Sequence, residues 1–367
     1  MRLAYITNTS LKESSGGGSG VNFATYNHLK DSFDTDYYLI NPKPDVMSKI
    51  KSVLRKRFHL KRDYHHFSER RLTDVGNQFE DKKGEFDAYF FHGFTQWIST
   101  QPDKPYYCFN DACFATYVEI YNDKNEFKKK DLDRIYKKEA NWLKNAEKVF
   151  FRSEWALNET KKAYNLGGNN FLNVGVGGFI DIPKEDKYTK GFNFLFISRE
   201  FIPKGGRVVV EAFQTLKKSY DFINLWIVGE DPGEKIKEVN GVEYLGFFNK
   251  ADKKDKKDLI KIFENTFALI HPTLKDTNTL VINELSYFGC VSIASDRFAI
   301  PEYLIDGQTG YLIKDPRDPN ELRFWMEQLI INPEKYQSMR VKARSNALQN
   351  NTWAIVGARI IKAINNY

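Results

Sequence analysis

Cysteine is scarce in this chain: three residues in 367, Cys108, Cys113 and Cys290, an odd number without a CxxC spacing. That excludes a disulfide scaffold and a cysteine-rich zinc module, and it fits buried, reduced thiols of a cytosolic protein. No apolar run approaches the roughly 18 residues that a membrane-spanning helix needs. The opening Met1-Arg2-Leu3-Ala4-Tyr5-Ile6 leads straight into a strand, where a signal peptide would continue as a longer apolar core. The expectation is therefore a soluble, cytoplasmic protein. His28, His59, His65, His66, His92 and His271 form no HExxH or other closed ligand set, so no metal is expected. A dinucleotide fingerprint fails as well, because Val21 stands where GxGxxG laid on Gly16 and Gly18 needs its third glycine; no GK[ST] follows for a P-loop.

What is present begins with size. A chain of 367 residues is long for one core, so two domains are expected, and 41% apolar content is enough to pack them. The 29 phenylalanines and 20 tyrosines are read as core and surface composition, not as a stacking platform for nucleic acid. The net charge of +7 has an address: Lys49 to Arg71 holds nine Lys and Arg against Asp63 and Glu69, an excess equal to that of the whole chain. Val53, Leu54, Phe58, Leu60, Tyr64 and Phe67 are interleaved with these charges. The stretch reads either as a basic helix lying on an anionic membrane surface or as a solvated face. No motif supports nucleic-acid binding.

Short apolar runs alternate with helical stretches, the signature of parallel α/β units. Leu3 to Ile6 is a strand, followed by a glycine-rich turn, Gly16-Gly17-Gly18-Ser19-Gly20, and a helix from Val21; such a turn lets backbone approach a ligand closely. Strands follow at Tyr37–Ile40, Asp87–Phe91, Tyr106–Phe109, Lys148–Phe151 and Phe171–Val174. Asp34-Thr35-Asp36, a DxD pattern, is placed in a helix-to-strand turn away from the ligand side. His92 and Asp111 stand at strand ends and are candidate catalytic groups. The charged stretch Pro183–Gly191 reads as a linker, and Lys250–Lys261 as a solvated helix face.

The most informative stretch is Phe267 to Ser295. Phe267-Ala268-Leu269-Ile270 fits a buried strand ended by His271-Pro272; Thr279 is a plausible N-cap for the helix that follows, and Gly289 its stop before strand Val291–Ala294. Asp276 and Glu284 flank this turn. Loops at the carboxyl ends of parallel strands line the ligand crevice, so both carboxylates are expected to look into it.

An acid, seven residues and a glutamate across a strand-loop-helix turn resemble the signature of the family 4 glycosyltransferases, retaining enzymes of the GT-B fold. Further landmarks are similar and come in the family's order. Arg199 ends the strand Asn193–Ile197, and Lys204-Gly205 follows five residues on. Gly229-Glu230-Asp231-Pro232-Gly233 is similar to the family's glycine-acid-glycine turn, and Pro301 to Ile313 to its late helix-turn-strand segment. Three departures stand out. Asn110 replaces a usual histidine, Asp276 a usual glutamate, and Arg297-Phe298-Ala299-Ile300 a run of small residues.

The resemblance implies two Rossmann-like α/β/α domains facing a cleft, with an acceptor-side domain over 1–184, a nucleotide-sugar-binding domain over 185–351, and a final helix, 352–367, crossing back to the first domain. It implies a sugar moved from a nucleoside-diphosphate donor, UDP- or GDP-linked, to a glycan, lipid-linked or small-molecule acceptor, without metal or other cofactor. In that scheme Glu284 accepts from the ribose hydroxyls, Asp276 meets the sugar, and backbone N–H groups around Thr279, Leu280 and Val281 hold the phosphates. Arg199 and Lys204 stabilise the departing diphosphate; Gly17, Gly18 and Gly229 border the donor. A catalytically silent sugar-nucleotide-binding protein and a nucleotide-sugar epimerase of the same fold are the alternatives. Peripheral attachment through Lys49–Arg71 to the inner face of a membrane would suit a lipid-linked acceptor.

Overall fold

A computed structural model describes residues 1–11, 17–189 and 191–366. Gly16, in the glycine-rich turn, lies outside the described residues. Packing divides the chain into two compact units. Over the described residues the first comprises 1–11, 21–175 and 357–366, and the second 17–20, 176–189 and 191–356.

The first unit is built from β1 (Arg2–Thr7), α1 (Gly17–Lys30), β2 (Asp34–Leu39), α2 (Val46–Arg57), α3 (Glu69–Glu80), β3 (Ala88–His92), β4 (Tyr106–Asn110), α4 (Phe114–Tyr121), α5 (Lys129–Lys144), β5 (Lys148–Phe151), α6 (Glu154–Tyr164) and β6 (Phe171–Asn173). The first turn of α1, Gly17–Gly20, groups with the second unit. The six strands form one sheet in the order β2-β1-β3-β4-β5-β6, and every pairing is parallel. A parallel sheet covered on both faces buries its strands completely, which is why β3 reads as the unbroken run Ala-Tyr-Phe-Phe-His. The aromatic surplus fills this core: Phe91 lies 5.6 Å from Trp97 and 5.3 Å from Trp142, ring centre to ring centre. The DxD residues are not in a turn. They are the first half of β2, in register with Arg2, Leu3 and Ala4, and Asp36 pairs with Arg2 at 2.8 Å. Parallel pairing with β1 overrides the turn preference of two aspartates.

The second unit contains β7 (Asn193–Ser198), α7 (Gly206–Lys217), β8 (Asn224–Gly229), α8 (Glu234–Lys237), β9 (Val242–Gly246), α9 (Lys253–Glu264), β10 (Ala268–His271), α10 (Leu280–Ser286), β11 (Val291–Ser295), α11 (Ile300–Tyr303), β12 (Gly310–Ile313), α12 (Pro319–Ile331), α13 (Pro333–Asn350) and the start of α14 (Trp353–Asn365). Its sheet runs β12-β11-β10-β7-β8-β9, again all parallel. The strand order reverses between β7 and β10. Open parallel sheets bind ligands at such a point, outside the carboxyl ends of the strands.

The charged stretch before β7 is not a free linker. Asp186 accepts two bonds from the buried guanidinium of Arg340 on α13, at 2.8 and 2.6 Å, and Arg340 also donates to the Phe288 carbonyl at 2.8 Å. Gly289 sits opposite, in the left-handed region at φ 72°, where a Cβ would fall 2.4 Å from the Asp186 carboxylate. The three groups tie the entry to this unit to its interior. Among the described residues, no helix is long and apolar enough to cross a membrane.

Candidate functional site

In the second unit the carboxyl ends of β7, β8 and β9 and the start of α10 enclose a cavity of about 290 Å³. Arg199 enters it from the end of β7; its guanidinium lies 5.5 Å from the centre of the Phe247 ring, which also lines the space. Gly229, at the end of β8, forms part of the wall. It holds φ 112°, and a Cβ there would lie 1.8 Å from the Ser198 carbonyl oxygen, so only glycine lets these two strand ends close up. Leu280 and Val281 line the cavity from α10, and Gly17 reaches it from the glycine-rich turn. Gly18 is not part of this lining.

Glu284 is the buried charge of the site, with 1% of its side chain exposed. One carboxylate oxygen accepts from the Phe179 backbone N–H at 2.9 Å, and the other takes a short bond from the Lys250 ammonium. Tyr287, one turn on, accepts from the Gly178 N–H at 2.8 Å and donates to the Asn351 carbonyl. Lys250 is the residue that the sequence reading missed. The charge run was expected as one solvated helix, but α9 starts only at Lys253, with Asp252 capping it through bonds from the N–H groups of Lys254 and Asp255. Lys250 is left in the preceding loop and turns inward. A signal for this existed: Asp252 is a good N-cap residue, which places Lys250 ahead of the helix.

Lys204 and Asp276 meet each other outside that lining. The Lys204 ammonium is 2.9 Å from the Asp276 carboxylate and donates to the Lys275 carbonyl at 2.6 Å. His271, at the end of β10, stands 3.6 Å from the same carboxylate. Burial pushes the Asp276 carboxyl up, but His271 and Lys204 outweigh it and hold the group at about 2, ionised throughout the neutral range. The lysine is aimed by Gly205, at φ 85°, whose missing Cβ would sit 2.5 Å from the Pro272 carbonyl oxygen. Thr279 occupies the N-cap position of α10, yet its hydroxyl does not cap the helix: the oxygen is buried and makes no hydrogen bond. The amide nitrogen of neighbouring Asn278 is buried in the same condition. Helix α10 is also shorter than expected, ending at Ser286, before Phe288 and Gly289.

The first unit has a cavity of its own, about 410 Å³, at the carboxyl end of its sheet. Asn8, Asn110 and Asp111 supply strand-end polar groups, and Tyr64, Arg71 and Tyr117 are among the side chains around them. Asp111 lies 3.5 Å from Arg152. His92 ends β3 as expected but does not line this cavity; it is buried, and its carbonyl accepts from Trp97 at 2.9 Å and Gln96 at 3.0 Å. Among the described residues, no group of three or more His, Cys, Asp or Glu is placed to hold a metal ion.

Two parallel six-stranded sheets in separate units, with the second unit's cavity at the point where its strand order reverses, define the GT-B fold. A model of the family described as "Glycosyl transferases group 1" matches residues 179–346, which lie within the second unit. Similar solved structures share the fold along nearly the whole chain. Sucrose-phosphate synthase from Thermosynechococcus elongatus superimposes with a TM-score of 0.70 at 12% identity, over 100% of this chain and 98% of that one. HepE of Anabaena, solved in complex with UDP, gives 0.69 at 13%, over 100% of both. WaaG, a glycosyltransferase involved in lipopolysaccharide biosynthesis, gives 0.66 at 13%, over 98% of both. No curated protein sequence matches the chain.

Proposed function

We propose that the protein is a retaining glycosyltransferase that moves a sugar from a nucleoside-diphosphate donor, without a metal ion, to a carbohydrate or lipid-linked acceptor. The observation that carries this reading is the second unit's cavity, where the Arg199 guanidinium and the buried Glu284 carboxylate share one space at the carboxyl ends of the strands. The match of residues 179–346 to glycosyl transferases group 1 and the likeness to HepE, which binds UDP, support it. A nucleoside diphosphate fits such a space from both ends. Ribose hydroxyls donate to Glu284, and the phosphates lie toward Arg199 along the Leu280–Val281 edge. Lys204 and Asp276 form the neighbouring polar pair, with Asp276 toward the donor sugar. A uracil or guanine base lies toward Phe247, where the ring offers a flat apolar face.

In the transfer, the bond between the sugar's anomeric carbon and the phosphate oxygen breaks, and the nucleoside diphosphate leaves with the electron pair. The acceptor oxygen bonds to the same face of that carbon, and its proton passes to the departing phosphate. Negative charge grows on the diphosphate as the bond opens. Arg199, already in place, stabilises it with little reorganisation, the arrangement by which fixed charges lower barriers most. The acceptor is received on the side of the first unit, whose cavity carries Asp111.

The test combines binding and turnover. UDP and GDP should be titrated calorimetrically, and a panel of their sugars assayed with excess chelator present. Arg199→Ala should lower turnover on the order of 10² to 10³ fold with the fold intact by circular dichroism. Unchanged turnover would remove Arg199 from the chemistry. Loss of activity in chelator that manganese restores would refute the metal-free mechanism. Tight donor binding without any transfer would point instead to a sugar-nucleotide-binding protein.

A further inference from the structure

Helix α2 packs the wrong way round for a core helix. At about 100° per residue, Val46, Met47, Ile50, Val53 and Leu54 form one continuous apolar stripe. A surface helix normally turns such a stripe inward. Here the inward side is Ser52, which is buried, with the half-buried Ser48 and Arg55, while the whole stripe faces solvent. Phe58 and Leu60 extend it past the helix end, and all seven side chains are between 47% and 67% exposed. Among the described residues, 19 large apolar side chains are exposed, and seven of them lie in these 15 positions. That concentration marks a surface built to be covered.

The charges say by what. Val46 to Arg62 contains no acidic residue, and Lys49, Lys51, Arg55, Lys56, Arg57, Lys61 and Arg62 all fall within it. Lys49 and Lys56 border the stripe on one side and Lys51 on the other, with Arg57 near its centre line. A second copy of the chain meeting this face would set lysine rows against lysine rows. An anionic bilayer meets both features at once: phosphate groups for the basic borders and acyl chains for the stripe. The helix itself is fixed for the purpose, because Asp45 caps it through the Ser48 N–H at 3.1 Å and the Ser68 hydroxyl holds Asp45 at 2.7 Å.

We propose that α2 and the turn after it lie flat on an anionic membrane surface, apolar stripe down, and hold the protein there peripherally. The full chain should sediment with vesicles of phosphatidylglycerol and phosphatidylcholine at low salt, be released progressively as salt rises, and stay in solution with phosphatidylcholine alone. The double variant Val53→Ser, Leu54→Ser should partition at least about tenfold less, since each exchange removes most of one side chain's transfer free energy. Both side chains are exposed, so its circular dichroism and its UDP binding should match those of the unaltered protein. Equal retention of the variant, retention that ignores lipid charge, or no retention of the unaltered protein would overturn the proposal. So would a dimer in sedimentation velocity that the double variant abolishes, which would assign the stripe to a second copy. Vesicle retention is measured with neither donor nor acceptor, so it stands or falls apart from the transfer reaction.

Discussion

Lys250 and Glu284 make the most consequential pair of residues in the second unit. A carboxylate with 1% of its side chain exposed is tolerated because both of its oxygens are satisfied, one by the Phe179 N–H and one by Lys250. Ribose hydroxyls arriving at Glu284 have to share or displace the ammonium. If the donor's ribose is received at Glu284 as proposed, Lys250 stands in for it in the free protein. Lys250→Met should lower the stability of the free protein by about 1.5–3 kcal/mol, the usual cost of losing a hydrogen bond to a charged group. On the proposed function, saturating UDP should recover most of that loss, its hydroxyls meeting the carboxylate that the variant leaves short of a partner. Thermal unfolding with and without UDP reads both effects. A variant that UDP stabilises less than it stabilises the unaltered protein would show instead that Lys250 is itself a donor contact.

At the scale of elements, the strands were legible and the ends of the helices less so. The inner strands β10 and β11 of the second unit appear where a short apolar run ends in a polar residue, because strands buried on both faces must be apolar throughout. The edge strand β9, by contrast, carries Glu243 and is not buried. Asn193–Ile197 became β7 and Val291–Ala294 became β11 with a residue added at the end of each. Arg199 and Glu284 could be marked because they stand where such runs end or a helix begins. What could not be read is which charge pairs with which, since pairing depends on segments far apart in sequence. Lys204 with Asp276, Lys250 with Glu284 and Arg340 with Asp186 are such cases, the last 154 positions apart. For α2 the sequence leaves two readings open, a membrane-lying face or a solvated one, for a related reason: its periodicity is visible, but which side meets the protein is decided by its neighbours. Arg340 shows the weight of one long-range pair. It joins the segment before β7 to α13, is itself 1% exposed, and also holds the Phe288 carbonyl. Arg340→Ala leaves Asp186 and that carbonyl without their partner, and should destabilise the second unit by about 3–5 kcal/mol, read as the shift of its denaturation midpoint. A shift below 1 kcal/mol would mean that water replaces the guanidinium without cost.

For the whole molecule, the division of labour follows from two sheets with two separate hydrophobic cores. One core gathers around Phe91, Trp97 and Trp142, the other around Phe194, Phe213 and Met326. With separate cores, a chain of this kind is not expected to unfold in one step. If the nucleoside diphosphate is held by Arg199 and Glu284, its binding free energy falls on the second unit. At a hundredfold excess over the dissociation constant this amounts to about 2.7 kcal/mol. Hydrogen exchange in the presence of UDP should then slow at the ends of β7 and β8 and in α10, while the amides of β3, β4 and β5 exchange as they do in the free protein. Lipid vesicles should do the reverse, slowing exchange only around α2. UDP protection centred on the first unit, around Asn8 and Asp111, would show that the donor occupies the other cavity and would exchange the roles assigned to the two halves of the chain.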